Sequence, residues 1–443
     1  MGAMESRADA PRRDPTPRRV LAGATTANTF AVLPLFLVGA LAVFVRDELD
    51  FTEVQLGLAV ATFSLASTSS AVAGGRFAER IGTSPAMRVG VATSATGLAS
   101  IALLAQGWAT LCAGLALAGV GNAITQPATN GALARGMPAH RQALAFGIKQ
   151  SSLPLAGSIA GLTVPLLGLT LGWRWSFGLA ALVAAAVILV VPGRSGAGAA
   201  GVAGTGGEAT AAGEAGTAAD GAAGEAAAPS GGSGPRREAP LRALVILAAA
   251  GTFGAAAANA LMAFFVESLV ATGIDEARAG VLLALGGASG VVARVFYGWR
   301  ADRRGRRHLW TVGVLLASGS SGYLLLALGS AAPLPGGAVL PLVAVATVLC
   351  FAAGWGWPGL FAYAVARRNP SRPAAATGVT QTGIFAGALL GPPLFGLVVS
   401  TAGYGPAWAA AAGASLVAAA FIAAGRASLA AASPRRPQQR PAS

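Results

Sequence analysis

The chain has 443 residues, 54% of them hydrophobic and only 11% charged. A soluble domain carries about 25% charged residues, so a string of soluble domains is excluded and an integral membrane protein with many spans is indicated. The net charge of +14 does not point to nucleic acid, because the arginines lie in short clusters between apolar segments, the membrane pattern. The 2 cysteines, Cys112 and Cys350, both fall in apolar segments and indicate neither a disulfide framework nor a metal site.

Residues 1–21 form a polar N-terminal tail rich in Pro and Arg. The first apolar run begins near Ala22 and is long enough for a full span, so it reads as an uncleaved first helix rather than a signal peptide. A crossing needs about 20 mostly apolar residues. That criterion places six spans in a first bundle, residues 22–192: Ala22–Val45, Gln55–Gly74, Met87–Ala105, Ala109–Ala134, Gln142–Gly168 and Trp175–Val191. Residues 193–240 follow as a Gly-, Ala- and Glu-rich linker that cannot bury enough surface to order itself, and we expect it to be disordered and cytoplasmic. A second bundle, residues 241–426, holds Leu244–Val266, Ala279–Tyr297, Leu309–Leu328, Val339–Val365, Ala374–Ser400 and Ala407–Ala424, before a tail at 427–443. The expected fold is therefore an all-α membrane protein of about twelve transmembrane helices, in two six-helix bundles around a central cavity.

Alternate loops carry the arginines: Arg12 to Arg19, Arg76 to Arg88, Arg135 and Arg141, Arg236 and Arg237, Arg303 to Arg307, Arg367 to Arg372, and Arg435 to Arg440. The opposite loops carry Asp47, Glu48, Asp50, Glu53, Asp275 and Glu276, with Arg46, Arg174 and Arg278 among them. Positive residues stay inside, so the expected site is the inner, cytoplasmic membrane with both termini cytoplasmic.

The fifth span contains Lys149, the only lysine in the chain, about a third of the way along an apolar stretch. A charge at the centre of a membrane helix costs roughly 2.5–3.5 kcal/mol on insertion scales. An anionic ligand is the simplest partner for it; snorkelling to the interface is the competing reading. Gln150, Ser151 and Ser152 add hydrogen-bonding groups beside it.

The two halves repeat. Gly57-Leu58-Ala59-Val60 aligns with Gly280-Val281-Leu282-Leu283, which sets Glu53 over Glu276 and Gly75 over Gly298. Gly75-Arg76-Phe77-Ala78-Glu79-Arg80-Ile81-Gly82 then matches Gly298-Trp299-Arg300-Ala301-Asp302-Arg303-Arg304-Gly305. Phe146-Gly147-Ile148-Lys149-Gln150-Ser151 matches Thr377-Gly378-Val379-Thr380-Gln381-Thr382 in the same way. Halves duplicated in the same order suggest two bundles related by an axis along the membrane normal.

With twelve spans, a central linker and this repeat, the chain resembles the major facilitator superfamily of transporters. The family's loop signature, Gly-x-x-x-Asp-Arg-x-Gly-Arg-Arg, is matched better by the second copy; the first has Glu79 for Asp and Thr83-Ser84 where basic residues are usual. The resemblance implies gating residues at Gly75, Glu79, Arg80, Gly82, Gly298, Asp302, Arg303 and Gly305, against a plain solvated loop that only sets topology. Lys149-Gln150-Ser151 resembles the branch of cyanate-, nitrate- and nitroimidazole-type permeases. Arg294, four residues before Gly298, resembles the pattern of the monocarboxylate and oxalate branches, which implies a carboxylate-binding cation.

Further substrate candidates are polar or aromatic groups on cavity-facing spans. Asn122, Gln126 and Asn130 are spaced by four and share one face of the fourth span; interhelical bonding is their competing role. Trp355, Trp357 and Tyr363 of the tenth span offer stacking or ordinary packing. Gln381, Asn28 and Asn259 are weaker candidates. Pro154, Pro165, Pro392 and Pro393 are expected to bend spans five and eleven. Glu267 is the one acid set inside an apolar span, near its outer end, so a proton is a candidate coupling ion. No nucleophile–base pair or metal cluster is visible, so no enzyme, cofactor or metal is expected. The expected function is secondary active transport of a small or organic anion across the bilayer by alternating access. The alternative is a drug-type efflux permease for neutral or cationic compounds; a non-transporting receptor on the same fold is a third reading.

Overall fold

The computed structural model describes residues 16–138, 141–190, 239–303, 308–331, 339–369 and 373–431. The expected linker, most of both tails, and Gly305 lie outside the described residues, as do the side chains of Asp302 and Arg303. Within them the chain forms fifteen α-helices and no strand.

The first half comprises α1 (Pro17–Ala40), α2 (Ala42–Leu49), α3 (Glu53–Ile81), α4 (Thr83–Leu104), α5 (Trp108–Gly136), α6 (Gln142–Gln150), α7 (Ser152–Thr163) and α8 (Trp173–Val190). The second comprises α9 (Leu241–Ala271), α10 (Glu276–Arg303), α11 (His308–Ala331), α12 (Val339–Leu349), α13 (Pro358–Ala366), α14 (Pro373–Ala402) and α15 (Tyr404–Ala431). Eleven stretches are long and apolar enough to cross a bilayer, and Trp173–Leu189 is a shorter apolar helix at the sixth position. This is the twelve-span, two-bundle architecture of a multi-pass membrane protein.

Helices outrun the apolar windows that announce them. Helix α1 begins at Pro17, five residues inside the expected tail, and α15 runs to Ala431, past the expected boundary at 426. The reason is that lipid selects apolar side chains, whereas a helix continues until its backbone is capped. Thr52 shows the capping for α3: its hydroxyl accepts from the Gln55 N–H at 3.3 Å, and the Gln55 side-chain oxygen accepts from the Thr52 N–H at 2.9 Å.

Two spans expected to be single helices are broken, and proline explains both. Pro154 has no N–H to offer the carbonyl four residues back, that of Gln150, and the fifth span divides at Ser151 into α6 and α7. Pro165 similarly cannot serve Gly161. The chain there takes a π-helical turn, Val164–Gly168, closed by the Leu169 N–H on the Val164 carbonyl at 3.1 Å. In the tenth span a π-helical turn, Cys350–Gly354, precedes Pro358, which restarts the helix as α13. Pro392 and Pro393, by contrast, lie inside the continuous α14, against α3 of the other half.

The halves meet chiefly along α3 with α14, α7 with α10, and α1 with α9, with smaller contacts of α6 with α10 and α2 with α9. Gly161 and Gly280 bring α7 and α10 close together; a Cβ on either would lie 2.5–2.6 Å from the other's carbonyl oxygen. Nearby the Ser158 hydroxyl donates to the Ala284 carbonyl at 3.0 Å. These contacts sit toward the acidic end of the bundle. There Arg46 pairs with Glu53 at 2.9 Å and with the buried Glu267 of α9, tying the halves together.

The other arginines at that end are also matched by acids. Arg174 reaches Glu48 at 2.8 Å and Arg278 reaches Asp275 at 3.2 Å. Burial pushes the Glu48 carboxyl up. Hydrogen bonds from Arg174 and Trp173, together with the Arg174 charge, outweigh it and hold the group below the usual carboxylate range. The three arginines that depart from the loop-charge pattern therefore belong to ion pairs. At the arginine-rich end the contrast is plain: a Cβ on Gly75 or Gly298 would meet no atom within 4 Å.

Candidate functional site

Lys149 is 2% exposed and does not snorkel. Its ammonium group turns inward to α5, donating to the side-chain oxygens of Gln126 and, at 3.0 Å, Asn130. The spacing of four on α5 is what lets two amides meet one amine. Asn122, one turn further along that face, is used differently: its amide donates to the Ser67 hydroxyl on α3 at 2.8 Å, and its own oxygen is buried without a partner.

Arg294 is 9% exposed and spans the two halves. It donates to the Gln150 carbonyl at 2.5 Å and to the Trp355 carbonyl at 3.0 Å, and its guanidinium lies 4.8 Å from the centroid of the Trp355 ring. The Gln150 carbonyl is the one Pro154 leaves unserved, and Trp355 sits in the break before α13. The arginine thus joins two helix breaks from opposite halves. Its Nε is buried with no partner.

The two basic residues attach to the same helix break from different sides: Arg294 holds the carbonyl of the residue after Lys149, while Lys149 itself turns to α5. Among the described residues neither forms an ion pair; the four pairs present all involve other arginines. Around them are Trp355, tilted against Phe36 of α1 at 5.6 Å, and Asn28, whose amide donates to the Ser152 hydroxyl while its oxygen stays buried and unpartnered. Buried donors and acceptors without partners are costly in a protein interior. Their occurrence beside two buried basic side chains makes a setting suited to a small anion with a polar or aromatic body.

Other expected site residues fall outside this cluster. The Gln150 side chain is exposed, and only its backbone carbonyl reaches the site. Trp357 is buried in the interior of the second bundle, against Gly254 and Phe361. The Asn259 amide donates to the Ala255 carbonyl of its own helix at 2.8 Å. Gln381 is half-buried on α14. Of the loop residues, Glu79 and Arg80 are exposed at the end of α3, and Gly82 has φ of +87° between α3 and α4, a left-handed conformation that favours glycine.

Three features of the site escaped the sequence reading. Phe36 carries no pattern that distinguishes it from other span residues. The break at Trp355 was detectable, because Pro358 follows a Gly-Trp-Gly-Trp run within the apolar stretch. The Arg46–Glu267 pair joins residues 221 positions apart, 267 minus 46, and nothing local links them.

A family model described as Major Facilitator Superfamily matches residues 20–327 and 244–442. The chain shares its fold with a bacterial homologue of the human lysosomal transporter Spinster. In the inward-facing, occupied form the TM-score is 0.64 at 16% identity, over 95% of this chain and 97% of that one. In the inward-facing, unoccupied form it is 0.65 at 16% identity, over 94% and 97%. The human organic anion transporter MFSD10 (TETRAN) aligns with a TM-score of 0.57 at 18% identity, over 92% of this chain and 100% of that one. Among curated protein sequences none matches. The two family matches cover both six-helix halves, and the chain belongs to the major facilitator superfamily: it is a transporter rather than an enzyme.

Proposed function

We propose that this transporter moves a small or organic anion across the cytoplasmic membrane by alternating access, with Lys149 and Arg294 as its charge partners. The observation that carries the reading is a pair of buried basic side chains, one from each half, with no carboxylate on either among the described residues. An anion between them relieves an uncompensated charge in low dielectric and draws the halves together; its release lets them rock apart. The excess of arginine on one set of loops supports cytoplasmic termini. On that orientation the end held together by Gly161–Gly280 and Arg46–Glu267 is the outer one.

The test is counterflow in proteoliposomes with labelled nitrate, oxalate and benzoate. Lys149→Ala is expected to abolish exchange while the protein still inserts. The lost charge contact corresponds to about 2–5 kcal/mol of binding, roughly 30-fold or more. Normal exchange by Lys149→Ala would sink the anion reading.

One observation favours the drug-type alternative. The hydrogen bonds of Lys149 to two amides and of Arg294 to two carbonyls are those of structural cations. Drug resistance on expression, unchanged by substitution of either residue, would establish it.

A further inference from the structure

We propose that Lys149 is the proton-coupling residue: the anion and one proton bind together, the proton on Lys149 Nζ. The proposal rests on the anion reading above and adds to it the identity of the coupling group.

The argument is a count of donors. An ammonium has three N–H donors and a neutral amine has two. Among the described residues, Lys149 has two hydrogen-bond acceptors, the side-chain oxygens of Gln126 and Asn130. These two acceptors match the two donors of the neutral amine, and the third N–H of the ammonium has no protein acceptor among the described residues. A bound anion supplies both that acceptor and the opposite charge. Binding of the anion favours the protonated amine, and by linkage protonation favours the anion.

The surroundings leave this task to Lys149. Helix α6 packs against α1, α5, α7 and α10. Of their charged or titratable groups, Arg18 and Arg19 of α1 and Arg135 of α5 are exposed at the helix ends, and α7 has none. Helix α10 brings Arg294, with Tyr297 a turn beyond and the exposed Arg300 further on. Arg294 adds like charge, which opposes an ammonium in the empty site. The acids of α10 lie at its ends, Glu276 at one and Asp302 about 12 Å past Arg294 at the other, at 1.5 Å per residue. Glu267, the buried acid of α9, is already committed to Arg46.

The step balances simply. Hydronium on the side of entry gives its proton to Nζ, forming one N–H bond, as the anion arrives. On the side of exit the anion leaves, the N–H bond breaks, and water takes the proton. Nothing is oxidised or reduced, and a monoanion crosses with no net charge.

Lys149→Arg separates coupling from binding, because a guanidinium keeps its charge and does not release a proton. Nitrate and oxalate are suitable probes, since both stay ionised near neutral pH and do not leak as neutral acids. In proteoliposomes the wild type is expected to accumulate the probe against its gradient when a pH gradient is imposed, up to about tenfold per pH unit for one proton per anion. In Lys149→Arg whatever probe exchange remains is expected to be insensitive to the pH gradient, whereas Glu267→Gln is expected to keep the pH-driven accumulation.

A second measurement needs no variant. Adding nitrate or oxalate to the purified wild type in weak buffer near pH 7 is expected to draw up to about one proton per anion bound, followed with a pH-indicator dye. Exchange without pH-driven accumulation in the wild type overturns the coupling proposal and spares the anion reading. So does absence of proton uptake on binding, or loss of pH drive in Glu267→Gln in place of Lys149→Arg. Failure of the wild type to exchange either probe overturns the anion reading and the coupling proposal together.

Discussion

Spans five and eleven occupy equivalent places in the repeat, yet they are built differently. In the register set by Gly147 and Gly378, Lys149 stands opposite Thr380. Around Lys149 the helix divides at Ser151, Pro154 frees a carbonyl, and the side chain reaches across to a second helix. Around Thr380 the helix runs unbroken from Pro373 to Ala402, and the hydroxyl donates to the Thr377 carbonyl of its own helix at 3.0 Å. Prolines alone do not make the difference, since Pro392 and Pro393 leave α14 continuous. The same asymmetry holds in reverse for the other cation: Arg294 of the second half aligns with Ala71 of the first. Duplication supplied two similar frames, and each half then placed one cation where the other has a small neutral residue. A ligand held by both is one that neither half can hold alone.

The comparison can be broken most forcefully by writing one half's residue into the other. Lys149→Thr, which copies the eleventh span, is expected to lower anion exchange by about thirtyfold or more, because a buried charge partner contributes about 2–5 kcal/mol. Exchange within about threefold of wild type, at equal reconstitution, would show that the charge is dispensable. Arg294→Ala, which copies Ala71, removes two charge-assisted hydrogen bonds and leaves the Gln150 and Trp355 carbonyls unserved. We expect a tenfold to hundredfold loss, about 1.5–3 kcal/mol, measured as the concentration dependence of exchange. At the other extreme, Thr380→Val removes only a bond within one helix and is expected to change stability and exchange by less than about 0.5 kcal/mol. A large effect there, read by thermal unfolding in detergent and by exchange, would mean that the eleventh span shares the work of the fifth.

Much of this architecture could be read from residue order. The twelve spans, the repeat and the arginine bias of alternate loops rest on properties that lie along a single dimension. Lys149 and Arg294 stood out for the same reason, as charges in apolar stretches. Their partners did not. That Lys149 meets Gln126 and Asn130 depends on how α5 and α6 are rotated about their axes, and a rotation of one residue, about 100°, would turn the amides elsewhere. Trp355 and Trp357 make the point within one span. They are two residues apart in an interrupted helix, and one lies under Arg294 while the other sinks into the bundle core.

By itself, then, the sequence determined which segments enter the membrane and which residues are costly there, because lipid imposes the same requirement on every span: apolar side chains outside and backbone bonds satisfied within. Only the tertiary structure decided what offsets those costs. Pro154 removes a donor from Gln150, and whether Arg294, water or another helix replaces it is a matter of three-dimensional packing. So is the pairing of Arg46 with Glu267, which closes one end of the molecule. Those choices depend on contacts between distant segments, and a sequence encodes them only through the fold.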